Sequence, residues 1–257
     1  MVNSQNSFVW YDLMTTDTAA AEGFYQGVMG WSIENADMPG MDYAILSAAG
    51  VPVGGLMALP QEATAAGVRP GWIGHIGVDD VDAFAERLTH AGGSIHRPPA
   101  DIPGIGRFAV VADPQGAAFI MFQPASGEQT PHAPSMAPGH TGWHELHAGD
   151  RESAFDFYAG LFGWTKDTAI DMGPMGIYQL IAANGAQVGG MMTKTDAIPK
   201  PAWLYYFIVE DIDAGAARVK QEGGQVLQGP HEVPGGTWIV QCLDPQGAMF
   251  ALVGPHS

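Results

Sequence analysis

Self-similarity constrains this chain more than any other feature. Phe24-Tyr-Gln-Gly-Val-Met-Gly-Trp31 returns as Phe157-Tyr-Ala-Gly-Leu-Phe-Gly-Trp164, and Val53-Gly-Gly-Leu-Met57 returns as Val188-Gly-Gly-Met-Met192. Asp80-Val-Asp-Ala83 returns as Asp211-Ile-Asp-Ala214, and Asp113-Pro-Gln-Gly-Ala117 as Asp244-Pro-Gln-Gly-Ala248. The order is the same in both copies and the spacing shifts only slightly. Chance does not produce four ordered blocks, so the chain is two copies of a module of roughly 125 residues.

Between the copies lies Pro124-Ala-Ser-Gly-Glu-Gln-Thr-Pro-His-Ala-Pro-Ser-Met-Ala-Pro-Gly139, with four prolines, two glycines and few large apolar residues. That composition reads as an extended surface linker over 125–139. It divides the chain into domains at 1–124 and 140–257. With 257 residues and 46% hydrophobic content, two cores are affordable and disorder is excluded.

Each copy reads as β-α-β-β-β twice, an α+β architecture. In the first copy the bulky run Phe8–Met14 is a strand, and Asp17 or Thr18 caps a helix reaching about Val28, which Gly30 stops. Short strands follow near Trp31–Asn35, Asp42–Ala48 and Val53–Leu59. Ile73–Val78 then starts a second unit, with a helix over Asp80–His90, Gly92-Gly93 as its end, and strands near Ser94–His96, Arg107–Ala112 and Ala117–Gln123. The second copy repeats this, with helices near Arg151–Phe162 and Ile212–Glu222.

These landmarks resemble the vicinal-oxygen-chelate (glyoxalase/bleomycin-resistance/dioxygenase) superfamily, in its tandem two-domain branch. The Phe-Tyr helix leading to Gly-Trp, the Val-Asp-Asp-Val helix start, the Gly-Gly and the Asp-Pro-x-Gly turn each say little alone. In order and duplicated they are specific, and they cover nearly the whole chain. The resemblance implies two glyoxalase-like domains, each of paired βαβββ units in a curled mixed sheet with flanking helices. It also implies a cup that holds a small substrate, often above a divalent metal.

Counting from the matched motifs, the family's metal-ligand positions fall on Trp10, Gly55, Ile73 and Ile120, then on Trp143, Gly190, Leu204 and Ala251. None of these side chains donates a lone pair to a cation of this kind. The resemblance without the ligands therefore predicts no metal and no other cofactor.

Strand alternation then lists what faces the cup. If Trp10 points inward, so do Phe8, Asp12 and Met14; if Trp143 does, so do Glu145 and His147. His75 follows Ile73 and Tyr206 follows Leu204. Trp10, Asp12, His75, Trp143 and Tyr206 are the expected substrate contacts, an apolar wall with few polar groups. Glu145 and His147 are the expected catalytic pair, placed by their spacing for acid/base work or, with His75 or Asp12, for an off-pattern metal site. The structural alternative stands beside this: Asp12 and Glu145 can equally serve the fold by bonding backbone amides, and the two tryptophans can be core.

Other residues carry less. His132, His140 and His256 lie in the linker, at its edge or at the tail, and His90 lies near a helix C-terminus. His231-Glu232 is expected in a loop. Cys242 sits in the apolar run Trp238–Leu243 and reads as a buried strand residue. Gly54-Gly55 and Gly189-Gly190 lack the Gly-Lys-Ser/Thr that a phosphate loop needs; they favour a bulge, or space in the cup. Phe24-Tyr25 and Phe157-Tyr158 read as helix-to-sheet packing.

The function this supports is a small-molecule binding protein, as bleomycin-resistance members hold drugs, with a glyoxalase-class lyase, isomerase or dioxygenase as the alternative. A formal net charge of −17 makes nucleic acid and anionic membranes unlikely partners. One cysteine permits no internal disulfide, and neither a secretory signal nor an apolar run of membrane-span length is evident. A cytoplasmic monomer (a pseudo-dimer within one chain) or homodimer is expected.

Overall fold

A computed structural model of the chain describes residues 5–36, 42–125 and 136–256. The linker residues 126–135, with His132, lie outside the described residues. In the first half the elements are β1 (Phe8–Thr15), α1 (Thr18–Met29), β2 (Ser32–Ala36), β3 (Tyr43–Ala48), β4 (Val51–Ala58), α2 (Gln61–Ala65), β5 (Gly71–Gly77), α3 (Val81–His90), β6 (Ser94–Ile102), β7 (Gly106–Ala112) and β8 (Ala118–Pro124). The second half holds β9 (Thr141–Ala148), α4 (Arg151–Phe162), β10 (Thr165–Asp171), β11 (Ile177–Ala183), β12 (Ala186–Thr193), β13 (Ala202–Ile208), α5 (Ile212–Gln221), β14 (Gln225–Val233), β15 (Thr237–Leu243) and β16 (Met249–Gly254).

Each half supplies one eight-stranded mixed sheet, so the expected α+β class and its βαβββ units are present. The orders are β2-β3-β4-β1-β5-β8-β7-β6 and β10-β11-β12-β9-β13-β16-β15-β14. The pairs β1/β4, β5/β8, β9/β12 and β13/β16 are parallel, because a helix crosses between their strands; the hairpin-linked pairs are antiparallel.

The four long helices start alike. Asp17, Asp80, Asp150 and Asp211 are extended N-caps whose carboxylates accept from the backbone N–H three residues on, at 3.0, 3.0, 2.8 and 2.6 Å. Gly30 and Gly163 end α1 and α4 in the left-handed region, at φ +69° and +72°.

Two departures from the sequence reading share a cause. β6 runs nine residues, and β14 carries His231 and Glu232 opposite Ile239 and Trp238, so these two are strand residues and not loop. Proline interrupts both strands, which disguises them in the sequence. Each is the outermost strand of its sheet, where a missing N–H is tolerated.

Compactness divides the chain differently from the sheets. One unit comprises the described residues of Met1–Val9, Gly74–Ala133 and Trp143–Leu204; the other those of Trp10–Ile73, Pro134–Gly142 and Tyr205–Ser257. Each unit thus draws βαβββ elements from both halves.

In the second unit the core is Tyr25, Trp31, Trp72, Phe207 and Phe250, with Tyr25 stacked on Trp31 (5.7 Å between ring centroids) and edge-on to Trp72 (5.3 Å). The first unit repeats it with Tyr158 stacked on Trp164 (5.2 Å) and edge-on to Trp203 (5.4 Å). Such pairs contribute about 0.5–1.5 kcal/mol each beyond their burial.

Both Phe-Tyr motifs do more than pack. Trp72 Nε1 donates to the Tyr25 hydroxyl (2.9 Å), which donates to Asp244 Oδ2 (3.3 Å). Trp203 Nε1 donates to the Tyr158 hydroxyl (3.0 Å), which donates to Asp113 Oδ2 (3.2 Å). The other oxygen of each aspartate accepts backbone N–H groups of its own turn, from Gln115 and Ala117 or from Gln246 and Ala248. Burial pushes both carboxyls above their ordinary range despite these donors. An arginine completes each unit: Arg87 donates to the carbonyls of Gly160 and Leu161 at the end of α4, and Arg218 to that of Val28 at the end of α1.

Candidate functional site

Alternation on β1 sends Tyr11 and Leu13 into the core and leaves Trp10, Asp12 and Met14 on the opposite face. Phe8 does not join them; it stacks on His144 (4.2 Å) and packs edge-on to Trp203 (5.1 Å) in the first unit's core. In the second unit Trp10 Nε1 donates toward Asp12 Oδ1 (3.0 Å) and the Tyr43 hydroxyl (2.8 Å). The Tyr43 hydroxyl donates to the same Asp12 oxygen at 2.7 Å. Burial, and then the Asp12 carboxylate, hold the Tyr43 hydroxyl well above the usual phenol range, so it remains a donor.

In the first unit β9 presents the repeat of this arrangement. Trp143 Nε1 donates to the Tyr178 hydroxyl at 2.7 Å. Register makes Tyr178 the counterpart of Tyr43, since Ile45 faces Gly55 and Leu180 faces Gly190. Glu145 occupies the place of Asp12, each opposite its glycine. Here the wiring differs: Glu145 Oε1 lies 2.8 Å from His147 Nε2, a pairing distance without hydrogen-bond alignment. Among the described residues, neither ring nitrogen of His147 has a hydrogen-bond partner, although the residue is only 5% exposed.

The two tyrosines were not legible as site residues, and they change the meaning of the glycines. A Cβ built on Gly55 would overlap the Tyr43 hydroxyl, and one on Gly190 the Tyr178 ring and hydroxyl. The glycines therefore open no space in a cup; their tyrosines fill it. Gly54 and Gly189 serve close backbone approach, to the carbonyls of Tyr11 and His144.

Of the remaining expected contacts, His75 is buried in the first unit 6.0 Å from the Phe122 ring. Tyr206 is buried in the second unit, where its hydroxyl accepts from Gln241 Nε2 at 3.3 Å. Ile73, Ile120, Leu204 and Ala251 are buried carbon side chains.

A divalent ion does not fit this donor set. The positions that counting from the motifs assigns to the family's ligands hold carbon, indole or hydrogen, and no three histidine, cysteine, aspartate or glutamate side chains converge among the described residues. The expected off-pattern site lacks its third ligand.

Burial governs two further residues. Cys242 is fully buried in β15, and burial pushes its thiol up to about 12. His144, which no sequence pattern singled out, donates from Nδ1 to the Val188 carbonyl; burial lowers its pKa to about 4. No helix among the described residues is long and apolar enough to cross a membrane.

Comparison with known proteins follows the repeat. The model of the Glyoxalase/Bleomycin resistance protein/Dioxygenase superfamily matches residues 7–121 and 138–252. The chain is 33% identical over 251 residues to CFP32 of Mycobacterium tuberculosis (strain CDC 1551 / Oshkosh), whose name places it provisionally among the glyoxylases; 96% of this chain and 94% of that protein are covered. It is 32% identical over 258 residues to the anthracycline biosynthesis protein DnrV of Streptomyces peucetius, covering 95% and 91%. Among solved structures, the Mn(II)-bound glyoxalase from Novosphingobium aromaticivorans superposes with a TM-score of 0.68 at 18% identity, covering 98% of this chain and 83% of that one. The 2,2',3-trihydroxybiphenyl 1,2-dioxygenase from Sphingomonas wittichii strain RW1 gives 0.66 at 14% identity, covering 97% and 90%. At these identities the two structures share the fold.

Proposed function

Because the chain belongs to the glyoxalase/bleomycin resistance protein/dioxygenase superfamily in both halves, we propose that it is a small-molecule binding protein that holds a partly apolar ligand without the metal site. The observation that carries this reading is the tyrosine hydroxyl standing where the side chain of a ligating residue would begin at Gly55 and Gly190. A protein that kept the sheet for metal chemistry would not fill that space with a phenol ring bonded to a tryptophan.

Trp10, Asp12, His75, Trp143 and Tyr206 are the proposed ligand contacts. Trp10 and Trp143 are half-buried, each with its N–H already satisfied, so each offers its indole face as an apolar surface. A relative named for anthracycline biosynthesis favours a flat polycyclic ligand. A cytoplasmic monomer or homodimer, with no nucleic acid or membrane partner, is part of the proposal.

The test has two arms. Elemental analysis of protein purified without a histidine tag is expected to find no stoichiometric manganese, iron, nickel or zinc. A thermal-shift series of polycyclic aromatics, anthracyclines included, is expected to contain stabilising compounds, since a ligand at a hundred times its Kd stabilises the native state by about 2.7 kcal/mol. A stoichiometric metal, or a series without one stabilising compound, overturns the reading.

One observation favours the second reading, a metal-free enzyme of the glyoxalase class. Glu145 and His147 form a buried carboxylate–imidazole pair whose Nδ1 is uncommitted, the arrangement a general base needs. Turnover that survived alanine at both positions would remove it.

A further inference from the structure

The two strand faces use the same positions but are wired differently. On β1, Asp12 Oδ1 takes both the Trp10 N–H and the Tyr43 hydroxyl, and Met14 stands two residues on. That carboxylate serves to hold its neighbours. On β9 the carboxylate is one methylene longer, and Trp143 gives its N–H to Tyr178. Glu145 turns to His147, which occupies the place of Met14. His147 Nε2 lies 2.8 Å from Glu145 Oε1, so Nδ1 is the ring nitrogen turned away from the carboxylate, and it stands buried without a hydrogen-bond partner among the described residues. Leaving such a group buried and unmatched costs free energy that a ligand donor would recover.

We propose that the halves have divided their labour: β9 carries one ligand site per chain, for a flat, neutral molecule with a weakly acidic hydroxyl whose O–H donates to His147 Nδ1, and β1 is a closed copy. The inference rests on the small-molecule reading and narrows it to a stoichiometry, a ligand class and a receiving atom, keeping Trp143 as a contact and releasing Trp10 and Asp12 from that role. His147 touches the ligand directly; Glu145, whose Oε1 stands 2.8 Å from Nε2, is a positioning residue that favours the proton on that nitrogen.

The probe is 2-naphthol, a flat phenol whose excited state is a strong acid and whose anion emits at longer wavelength. Excitation breaks the O–H bond; the proton moves to Nδ1 and returns after emission. Calorimetry on the full chain is expected to find one equivalent bound, with anionic emission from the bound probe. His147→Met, which copies the first half, and His147→Gln are expected to abolish that emission and weaken binding about tenfold. Glu145→Gln is expected to reduce the emission, an effect a purely structural role would not give. The non-donating 2-methoxynaphthalene is expected to bind the unaltered chain and both His147 variants alike, which also shows that the variants fold.

Two equivalents of 2-naphthol per chain, anionic emission surviving both His147 substitutions, or no binding of 2-naphthol would each overturn the division of labour. If 2-methoxynaphthalene still binds in any of these cases, the broader binding reading stands. If neither compound binds and the polycyclic series gives no thermal shift, that reading falls as well.

Discussion

The hydroxyl of Tyr43 occupies the space into which a side chain on Gly55 would have to grow. Gly190 has the same relationship with Tyr178. Gly55→Ala is therefore expected to lower stability by about 1–3 kcal/mol, the range for forcing extra volume into a packed site. Tyr43→Ala removes both the hydroxyl and the ring carbon that the new methyl would overlap, and should recover part of that loss in the double variant. Urea unfolding of the four proteins in this cycle measures the coupling; strict additivity would show that the two residues do not compete for one volume.

Tyr25 and Tyr158 are each an acceptor and a donor in a buried chain from tryptophan to aspartate. Replacing either with phenylalanine leaves an indole N–H without its acceptor and a buried carboxylate short of a donor. Each substitution is expected to cost about 1–3 kcal/mol, since unsatisfied buried groups lose their full desolvation penalty. Chemical denaturation measures it; a change below about 0.5 kcal/mol, as typical of surface sites, would show that the chain of bonds contributes nothing.

The architecture was legible because four repeated motifs mark turns and caps, which are local chemistry. Asp17, Asp80, Asp150 and Asp211 cap helices through their own backbone neighbours, so the sequence alone reveals them. Alternation likewise brought Trp10 onto one face with Asp12, and Glu145 with His147; the structure places the facing atoms of these pairs 3.0 and 2.8 Å apart. Tyr43 and Tyr178 escaped because their role depends on pairing across strands: each meets its glycine only after β3 or β11 has found its partner. The one available signal was their recurrence at equivalent places opposite the glycine pairs. Phe8 was misassigned for a related reason, since parity was extended past the point where the strand leaves its own unit.

Acid acts on the first unit with two opposite signs. His144 titrates at about 4 in the fold against 6.5 when exposed, so the unfolded chain binds more protons between these values. Its contribution is fully present above 6.5 and is lost as pH falls toward 4, amounting to at most about 3 kcal/mol. Asp113 is raised, so its effect runs the other way: its protonated form suits the fold, and stability is lost as pH rises through its shifted value. His144→Gln is expected to flatten stability against pH between 6.5 and 4.5, whereas Asp113→Asn is expected to steepen the loss on acidification. Unfolding midpoints at a series of pH values decide it; an unchanged slope in His144→Gln would exclude His144 as the acid-sensitive group.

The compact units predict how the chain behaves when cut. Fragments 1–124 and 140–257 each retain a complete sheet's strands, but neither retains a complete unit. Alone, 1–124 keeps Tyr25, Trp31 and Trp72 yet loses Asp244, Phe207 and Phe250, the residues that bury them. Each large side chain left exposed forfeits about 1.5–3 kcal/mol of burial, and several such losses exceed the 5–15 kcal/mol by which a domain is usually stable. Neither fragment is expected to unfold cooperatively as a monomer, and mixing them should restore the near-ultraviolet dichroism of the ordered tryptophans in a one-to-one complex. A monomeric 1–124 with a sharp melting transition and native-like aromatic dichroism would show that the crosswise packing of Tyr25 against the second half is dispensable.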